Sequence, residues 1–232
     1  MLTRAELTDR LNELAEPDYA AFSSRLIPGC PPMLGVRLPA LRALARELAK
    51  TPGEALALLR TDSFEERMLR GMVLGAAKLP EAERAALLTA FLPLIDNWSI
   101  CDSTAVSCKF LPREADFWLP RLHALARDER EFPSRFGVVC LMDHFANSPE
   151  GRTEILAACR AAGSDGLYTK LGVAWAVSVV AVKDPAQGEA FLAESAANRV
   201  LDPYTQNKAI QKIRESRRAA PAYREKILAY RR

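Results

Sequence analysis

Apolar residues recur every three or four positions along most of the chain, which is the pattern of helices with one buried face. Prolines and capping residues interrupt this pattern regularly, so helix starts can be read from the sequence. One series of predicted helices begins near Phe64, Trp98, Phe132, Leu167 and Pro203. A second series begins near Pro80, Arg113, Pro149, Pro185 and Ala219. Each period of about 34 residues therefore holds two helices.

A two-helix unit of this length has an apolar face that only its neighbours can cover, as in HEAT-like and ARM-type repeats. We therefore expect an all-α protein, built as a solenoid of antiparallel helix pairs. Residues 1–232 are expected to form a single domain, with regular repeats over 62–232.

The N-terminal third keeps the period less well, so residues 1–61 are expected to be atypical capping helices. A stretch rich in proline and glycine, residues 23–39, is expected to be a loop. The helices predicted around this stretch are 2–15, 17–24, 36–49 and 53–60.

Composition excludes several classes of protein. No segment reaches the roughly 18 apolar residues of a membrane span, and we expect a soluble cytoplasmic protein. The five cysteines form no CxxC pair, and only two histidines are present, so the supply of zinc ligands is poor. We expect buried free thiols, no metal and no cofactor.

Charge separates the two series of helices. The formal net charge is only +3, which implies nucleic-acid binding only if the positive residues share one face. The first series carries twelve basic and five acidic residues, a sum of +7, whereas the second carries eleven of each. Because one series lines the concave side of a solenoid, we predict a concave basic groove that attracts a polyanion. The alternative is an ordinary solvated face, since five of the twelve lie in the last helix of the series.

Four residues of the first series break the local pattern. Trp98 and Asp102 lie at positions i and i+4 of a helix that is otherwise small and apolar, so they share a face. A carboxylate there needs a hydrogen-bonded partner or a function. Arg135 is the only basic residue of 131–145, and Trp175 lies in an apolar run where a core role is the alternative. Their three successive repeats could bring all four into one groove.

Two indoles, a carboxylate and an arginine in a basic groove could together serve one kind of reaction. Indoles present π-faces to bases, an arginine binds phosphate, and a carboxylate stabilises positive charge or orients a water. Hydrolysis of the glycosidic bond of an alkylated, cationic purine would use all four, because the sugar becomes oxocarbenium-like. Composition alone does not select this reaction over other uses.

Five segments of the chain resemble the HEAT-like-repeat DNA alkylation repair proteins of the AlkD type, a superfamily of alkylpurine DNA glycosylases. The segments are LGVRLPALRALAREL (34–48), DNWSICDS (96–103), EFPSRFGVVCLMDHF (131–145), GVAWAVSVVAVKDP (172–185) and LDPYTQNKAIQKIRESRR (201–218).

The resemblance implies a monofunctional DNA glycosylase that hydrolyses the N-glycosidic bond of N3- and N7-alkylated purines. Duplex DNA would lie in the concave face, with the lesion base left stacked. Carried over by motif, Trp98 and Trp175 would contact the deoxyribose of the lesion nucleotide. Asp102 would be the catalytic carboxylate, and Arg135 would contact the adjacent backbone phosphate.

Three lysines of the basic series, Lys170, Lys208 and Lys212, complete the predicted DNA-binding set. The expected partner is duplex DNA with an alkylated purine, with no membrane and no metal, and we expect a cytoplasmic monomer that joins the nucleoid when bound. Two alternatives remain open at this point. One is a catalytically inactive DNA-binding relative, and the other is a helical-repeat scaffold for protein interactions.

Overall fold

The computed structural model of the protein describes residues 2–232, which contain α-helices and short 3-10 turns but no strand. The all-α prediction is therefore confirmed for this part of the chain. The α-helices are α1 Arg4–Glu13, α2 Pro17–Leu26, α3 Leu38–Leu48, α4 Pro52–Leu58, α5 Phe64–Ala76, α6 Glu81–Phe91, α7 Trp98–Ser107, α8 Ala115–Ala126, α9 Glu131–Phe145, α10 Pro149–Arg160, α11 Leu167–Lys183, α12 Pro185–Asn198, α13 Pro203–Glu215 and α14 Pro221–Lys226. The 3-10 turns are Leu92–Leu94, Leu111–Glu114 and Ile227–Tyr230.

The predicted helix starts agree with the structure to within two residues. In the first series α5, α7, α11 and α13 begin at the predicted residue, and α9 begins one residue early. In the second series α8 begins after Arg113, because Leu111–Glu114 forms a 3-10 turn first, and α14 begins at Pro221. The helix starts could be predicted because N-cap residues act within the first turn of each helix. Ser148, for example, accepts a hydrogen bond from Gly151 N at 3.0 Å and starts α10.

The loop expected over residues 23–39 is shorter in the structure, and the predicted helices 17–24 and 36–49 that overlap its two ends are present as α2 and α3. Helix α2 continues to Leu26, and α3 already begins at Leu38. The chain leaves the helical conformation at Ile27 because Pro28 follows, and a residue before proline avoids the helical region. Only residues 27–37 are irregular.

The helices pack into two compact units, one ending at Phe110 and one beginning at Leu111. In the N-terminal unit α5 packs against α3, α4, α6 and α7. In the C-terminal unit α9 packs against α8, α10 and α11, and α11 packs against α12 and α13. First-series helices are thus neighbours within each unit. A solenoid over the whole chain, its concave basic groove and the single domain stay predictions.

Two glycines of α5 allow α7 to approach closely in the N-terminal unit. A Cβ on Gly71 would lie 1.9 Å from Thr104 Oγ1, and one on Gly75 would lie 2.7 Å from the backbone carbon of Ser107. Backbone cannot move aside as a flexible side chain can. The position of α7 therefore depends on the absence of a side chain at Gly75.

We expect Gly75→Ala to lower the free energy of unfolding by about 1–3 kcal/mol, since the added methyl group overpacks the contact between α5 and α7. Urea unfolding followed by circular dichroism measures this change. Gly53→Ala is the matched control, because nothing lies within 4 Å of a Cβ there and alanine favours helix α4. Equal stability of both variants would show that α7 does not rest on Gly75.

The cysteines follow the prediction of buried free thiols except for one. Cys101, Cys108, Cys140 and Cys159 are buried, whereas Cys30 is half-buried. Burial raises the pKa of Cys159 from 9.0 to about 12. None of the helices in residues 2–232 is long and apolar enough to span a membrane.

The thiols are expected to differ in reactivity, because the thiolate is the nucleophile. At pH 8 iodoacetamide should modify Cys30 in the native protein, while Cys159 should react only after unfolding. Mass spectrometry of peptides after timed alkylation, with a urea-denatured sample as reference, measures both rates. Native modification of Cys159 as fast as that of Cys30 would contradict its burial.

Candidate functional site

Helix α7 places two of the predicted site residues in the N-terminal unit. Asn97 caps this helix, since its side-chain oxygen accepts a hydrogen bond from Ile100 N at 3.0 Å. Trp98 is therefore the first residue of the helix, and Asp102 lies one turn later on the same face. Both side chains are half-buried, while Ile100 and Cys101 face the core. Trp98 and Asp102 thus lie one turn apart on α7, and their role in a site stays a prediction.

The irregular segment 27–37 is tied to both α7 and α5. The Trp98 indole Nε1 donates a hydrogen bond to the carbonyl oxygen of Leu26 at 3.1 Å, where α2 ends. Glu65, a buried residue of α5, accepts hydrogen bonds from the backbone N–H groups of Leu34 at 2.9 Å and Gly35 at 2.8 Å through Oε1. Val36 N donates to the same oxygen at 3.4 Å. These bonds hold the segment beside the start of α7.

Gly35 is required by this arrangement. Its φ is +84°, in the left-handed region, and a Cβ there would lie 2.3 Å from the carbonyl oxygen of Glu16. The glycine therefore lets three successive backbone N–H groups converge on the Glu65 carboxylate.

Arg135 lies in α9 of the C-terminal unit, where it is buried. Its Nη1 donates a hydrogen bond to the carbonyl oxygen of Tyr168 at 2.6 Å. The side chain also runs along Gly172 of α11, because a Cβ on that glycine would lie 3.3 Å from Arg135 Cγ. The guanidinium is thus oriented by the first turns of α11.

The first turn of α9 fixes the first turn of α11 in several ways. Glu131 Oε1 accepts a hydrogen bond from Tyr168 N at 2.6 Å, and Glu131 O accepts one from Thr169 Oγ1 at 2.8 Å. The rings of Phe132 and Tyr168 stack with centroids 5.5 Å apart. A carboxylate at a helix N-terminus is also favoured by the helix dipole. Tyr168, which orients Arg135, is therefore held rigidly.

Trp175 lines a cleft of about 450 Å³ between α11 and the C-terminal end of α13, which we call the α11–α13 cleft. Four cations and one acid line this cleft, so its charge is net positive. Its charged and aromatic residues are Trp175, Lys183, Lys212, Glu215, Arg217 and Arg218. An indole beside several cations can stack on a base or sugar while the cations bind phosphates. Trp175 is half-buried, and its role in a site stays a prediction.

The structure places Trp175 and Lys212 in the same cleft, but it places two other lysines elsewhere in the unit. Lys170 Nζ lies 3.5 Å from Asp165 Oδ1 at the start of α11. Lys208 Nζ donates a hydrogen bond to Gln211 Oε1 at 3.0 Å and lies in a second cleft beside α13. Their roles in DNA binding stay predictions.

Sequence reasoning did not assign Lys183, Arg217 and Arg218 to the site. All three were counted in the positive sum of the first series, so the signal was present in the charge pattern. Lys183 lies at the end of α11, the helix that carries Trp175. Arg217 and Arg218 are about forty residues from Trp175, so their distance along the chain gave no reason to place them beside it. Packing of α11 against α13 supplies that reason.

In residues 2–232 no three His, Cys, Asp or Glu side chains are grouped closely enough to hold a metal ion. The described features define an all-helical protein with an indole–carboxylate pair on one helix and a cation-lined cleft in its C-terminal unit. Residues 7–213 match the model of the family described as DNA alkylation repair enzyme, and the chain belongs to that family. The AlkD-type resemblance is thereby confirmed, and DNA is the substrate that the family implies. A comparison with curated proteins gave no match.

Proposed function

We propose that this protein is a monofunctional DNA glycosylase that hydrolyses the N-glycosidic bond of N3- and N7-alkylated purines in duplex DNA. The observation that carries the proposal is the position of Asp102 in a chain that belongs to a DNA alkylation repair family. This half-buried carboxylate lies one turn from the Trp98 indole, on a helix that offers no other acid.

The proposed reaction requires the protein mainly to stabilise positive charge and to position a water molecule. An N7- or N3-alkylated purine nucleotide carries a positive charge on its base. When the C1′–N9 glycosidic bond breaks, both electrons go to the base, which leaves as a neutral molecule. The sugar becomes an oxocarbenium ion. Asp102, as the anion, stabilises this cation and orients a water molecule. The water oxygen bonds to C1′, and its proton passes through Asp102 to solvent.

The remaining residues hold the nucleotide and its backbone. As the AlkD-type resemblance implies, Trp98 and Trp175 would contact the deoxyribose of the lesion nucleotide, and the base would stay stacked. Arg135, oriented by the Tyr168 carbonyl, contacts the adjacent phosphate. Lys183, Lys212, Arg217 and Arg218 add charge beside Trp175, and Lys170 and Lys208 extend the positive surface.

A base-release assay tests the proposal. Purified protein should release 7-methylguanine from methylated duplex DNA faster than spontaneous loss, as measured by liquid chromatography of the free base. Binding of the duplex with no release above the spontaneous rate would instead identify a non-catalytic DNA-binding relative. Affinity no better than that of another protein of similar net charge would favour a protein-interaction scaffold.

A further inference from the structure

Positive charge is concentrated in the C-terminal residues that lie outside the family match. Residues 214–232 contain seven basic and two acidic residues, a net of +5, whereas the whole chain has a net charge of +3. The preceding residues therefore sum to −2. The family model ends at residue 213. Arg214, Arg217 and Arg218 still lie in the segment 201–218 that resembles the family, whereas the four basic residues from Arg224 onward lie beyond both.

Much of this charge surrounds a second cleft, of about 600 Å³, which we call the α13–α14 cleft. It lies beside α13 and α14, and Glu215 lines both this cleft and the α11–α13 cleft. Four cations, two acids and one aromatic ring line it: Lys208, Arg214, Arg224, Arg231, Glu215, Glu225 and Tyr204. Tyr204 is 41% exposed, so an aromatic ring is available at the rim of the cleft.

The cations of this segment are not equally available to a ligand. Lys226 Nζ lies 2.8 Å from Glu189 Oε1, and Arg224 Nε donates to Ala219 O at 2.9 Å. Arg214 and Arg231 line the cleft beside Glu215 and Glu225. Its four cations exceed its two acids, and this net positive charge favours a phosphate ligand.

The backbone that carries Arg231 is held in place. Asn207 of α13 donates a hydrogen bond to the carbonyl oxygen of Arg232 and accepts one from Arg232 N at 3.1 Å. Gln206 Nε2 donates to Tyr230 O at 3.0 Å. The residues on both sides of Arg231 are thus bonded to α13, so the cleft is preorganised.

We propose that the α13–α14 cleft binds backbone phosphates of duplex DNA beyond the nucleotides held at the α11–α13 cleft. This inference rests on the proposed function and extends its DNA interface. Arginine matches phosphate oxygens with paired N–H donors. Glu215 lines both clefts, so they adjoin each other along α13. One duplex can therefore run across both.

The test is the salt dependence of duplex binding by the full chain. The probe is an undamaged duplex of about 20 base pairs, long enough to pass both clefts, with affinity measured by fluorescence anisotropy at several salt concentrations. Arg214→Gln combined with Arg231→Gln should reduce the slope of log affinity against log salt by about 1.8, since each phosphate contact contributes about 0.9. The affinity itself should fall roughly ten-fold at low salt.

Arg113→Gln combined with Arg127→Gln is the matched control, because it removes the same charge from exposed second-series positions of the same unit. Its slope should equal that of the wild type. An unchanged slope for the Arg214 and Arg231 variant, or an equal loss in both variants, would overturn the proposal. The proposal would also be overturned if the Arg214 and Arg231 variant lost affinity for poly-glutamate but kept its affinity for the duplex. That result would indicate an acidic protein partner.

Failure of this inference is separable from failure of the proposed function. The probe carries no lesion, so its binding reports the cleft and not the chemistry. If the slope changes as expected while methylated duplex yields no free base, the cleft binds DNA and the glycosylase proposal is wrong. If base is released and the slope is unchanged, the cleft proposal alone is wrong.

Discussion

Asp102→Asn is expected to lower the rate of 7-methylguanine release from methylated duplex by at least about a hundred-fold. Asparagine has nearly the same shape as aspartate but no negative charge, so it stabilises the oxocarbenium ion far less. The stabilisation that is lost acts only in the transition state. The rate at saturating DNA should therefore fall, while the affinity for undamaged duplex stays within about three-fold. Single-turnover release and anisotropy measure the two quantities separately.

Asp96→Asn is the matched control for this variant. It makes the same chemical change two residues before α7, at an exposed carboxylate that pairs with Arg67. Its rate of base release should stay within about two-fold of the wild type, since a surface ion pair contributes little. An Asp102→Asn protein that folds normally and retains a third or more of the wild-type rate would remove Asp102 from the mechanism.

Glu65→Ala is expected to reduce the free energy of unfolding by about 3 kcal/mol. The change removes the acceptor for the N–H groups of Leu34, Gly35 and Val36, and an unsatisfied buried donor costs about 1–3 kcal/mol. Urea unfolding measures the loss. Because segment 27–37 is also tied to Trp98 through Leu26, the fluorescence of the native state should change as well.

Two further variants make this result specific. Glu65→Gln retains one acceptor oxygen and should lose clearly less stability than the alanine variant, since charge-assisted bonds become neutral ones. Glu54→Ala changes an exposed acid of α4 and should shift the free energy of unfolding by no more than about 0.5 kcal/mol. Equal stability of Glu65→Ala and Glu54→Ala would mean that the carboxylate does not hold the segment.

The candidate site was predictable where it depended on short distances along the chain. Trp98 and Asp102 share a face of α7 because residues four apart do so in any helix. The α11–α13 cleft was predictable only in part. Its net charge follows from the sum over the first series, but only the packing of α11 against α13 brings Lys212, Arg217 and Arg218, some forty residues away, beside Trp175.

The sequence by itself determined the helices and their starts, because caps, prolines and apolar spacing act within one or two turns. Asp202 illustrates this, since its carboxylate accepts hydrogen bonds from Tyr204 N at 3.0 Å and Thr205 N at 3.2 Å and starts α13. It also determined the family, through motifs that run along most of the chain.

Only the tertiary structure decided which residues from distant segments meet. Glu65 binds backbone groups about thirty residues earlier, and Trp98 bonds to a carbonyl 72 residues away. A backbone N–H carries no residue-specific signal, so no pattern in the sequence could reveal these partners. The same reason applies to Arg231, whose place in the α13–α14 cleft follows from hydrogen bonds of Asn207 to the backbone of Arg232.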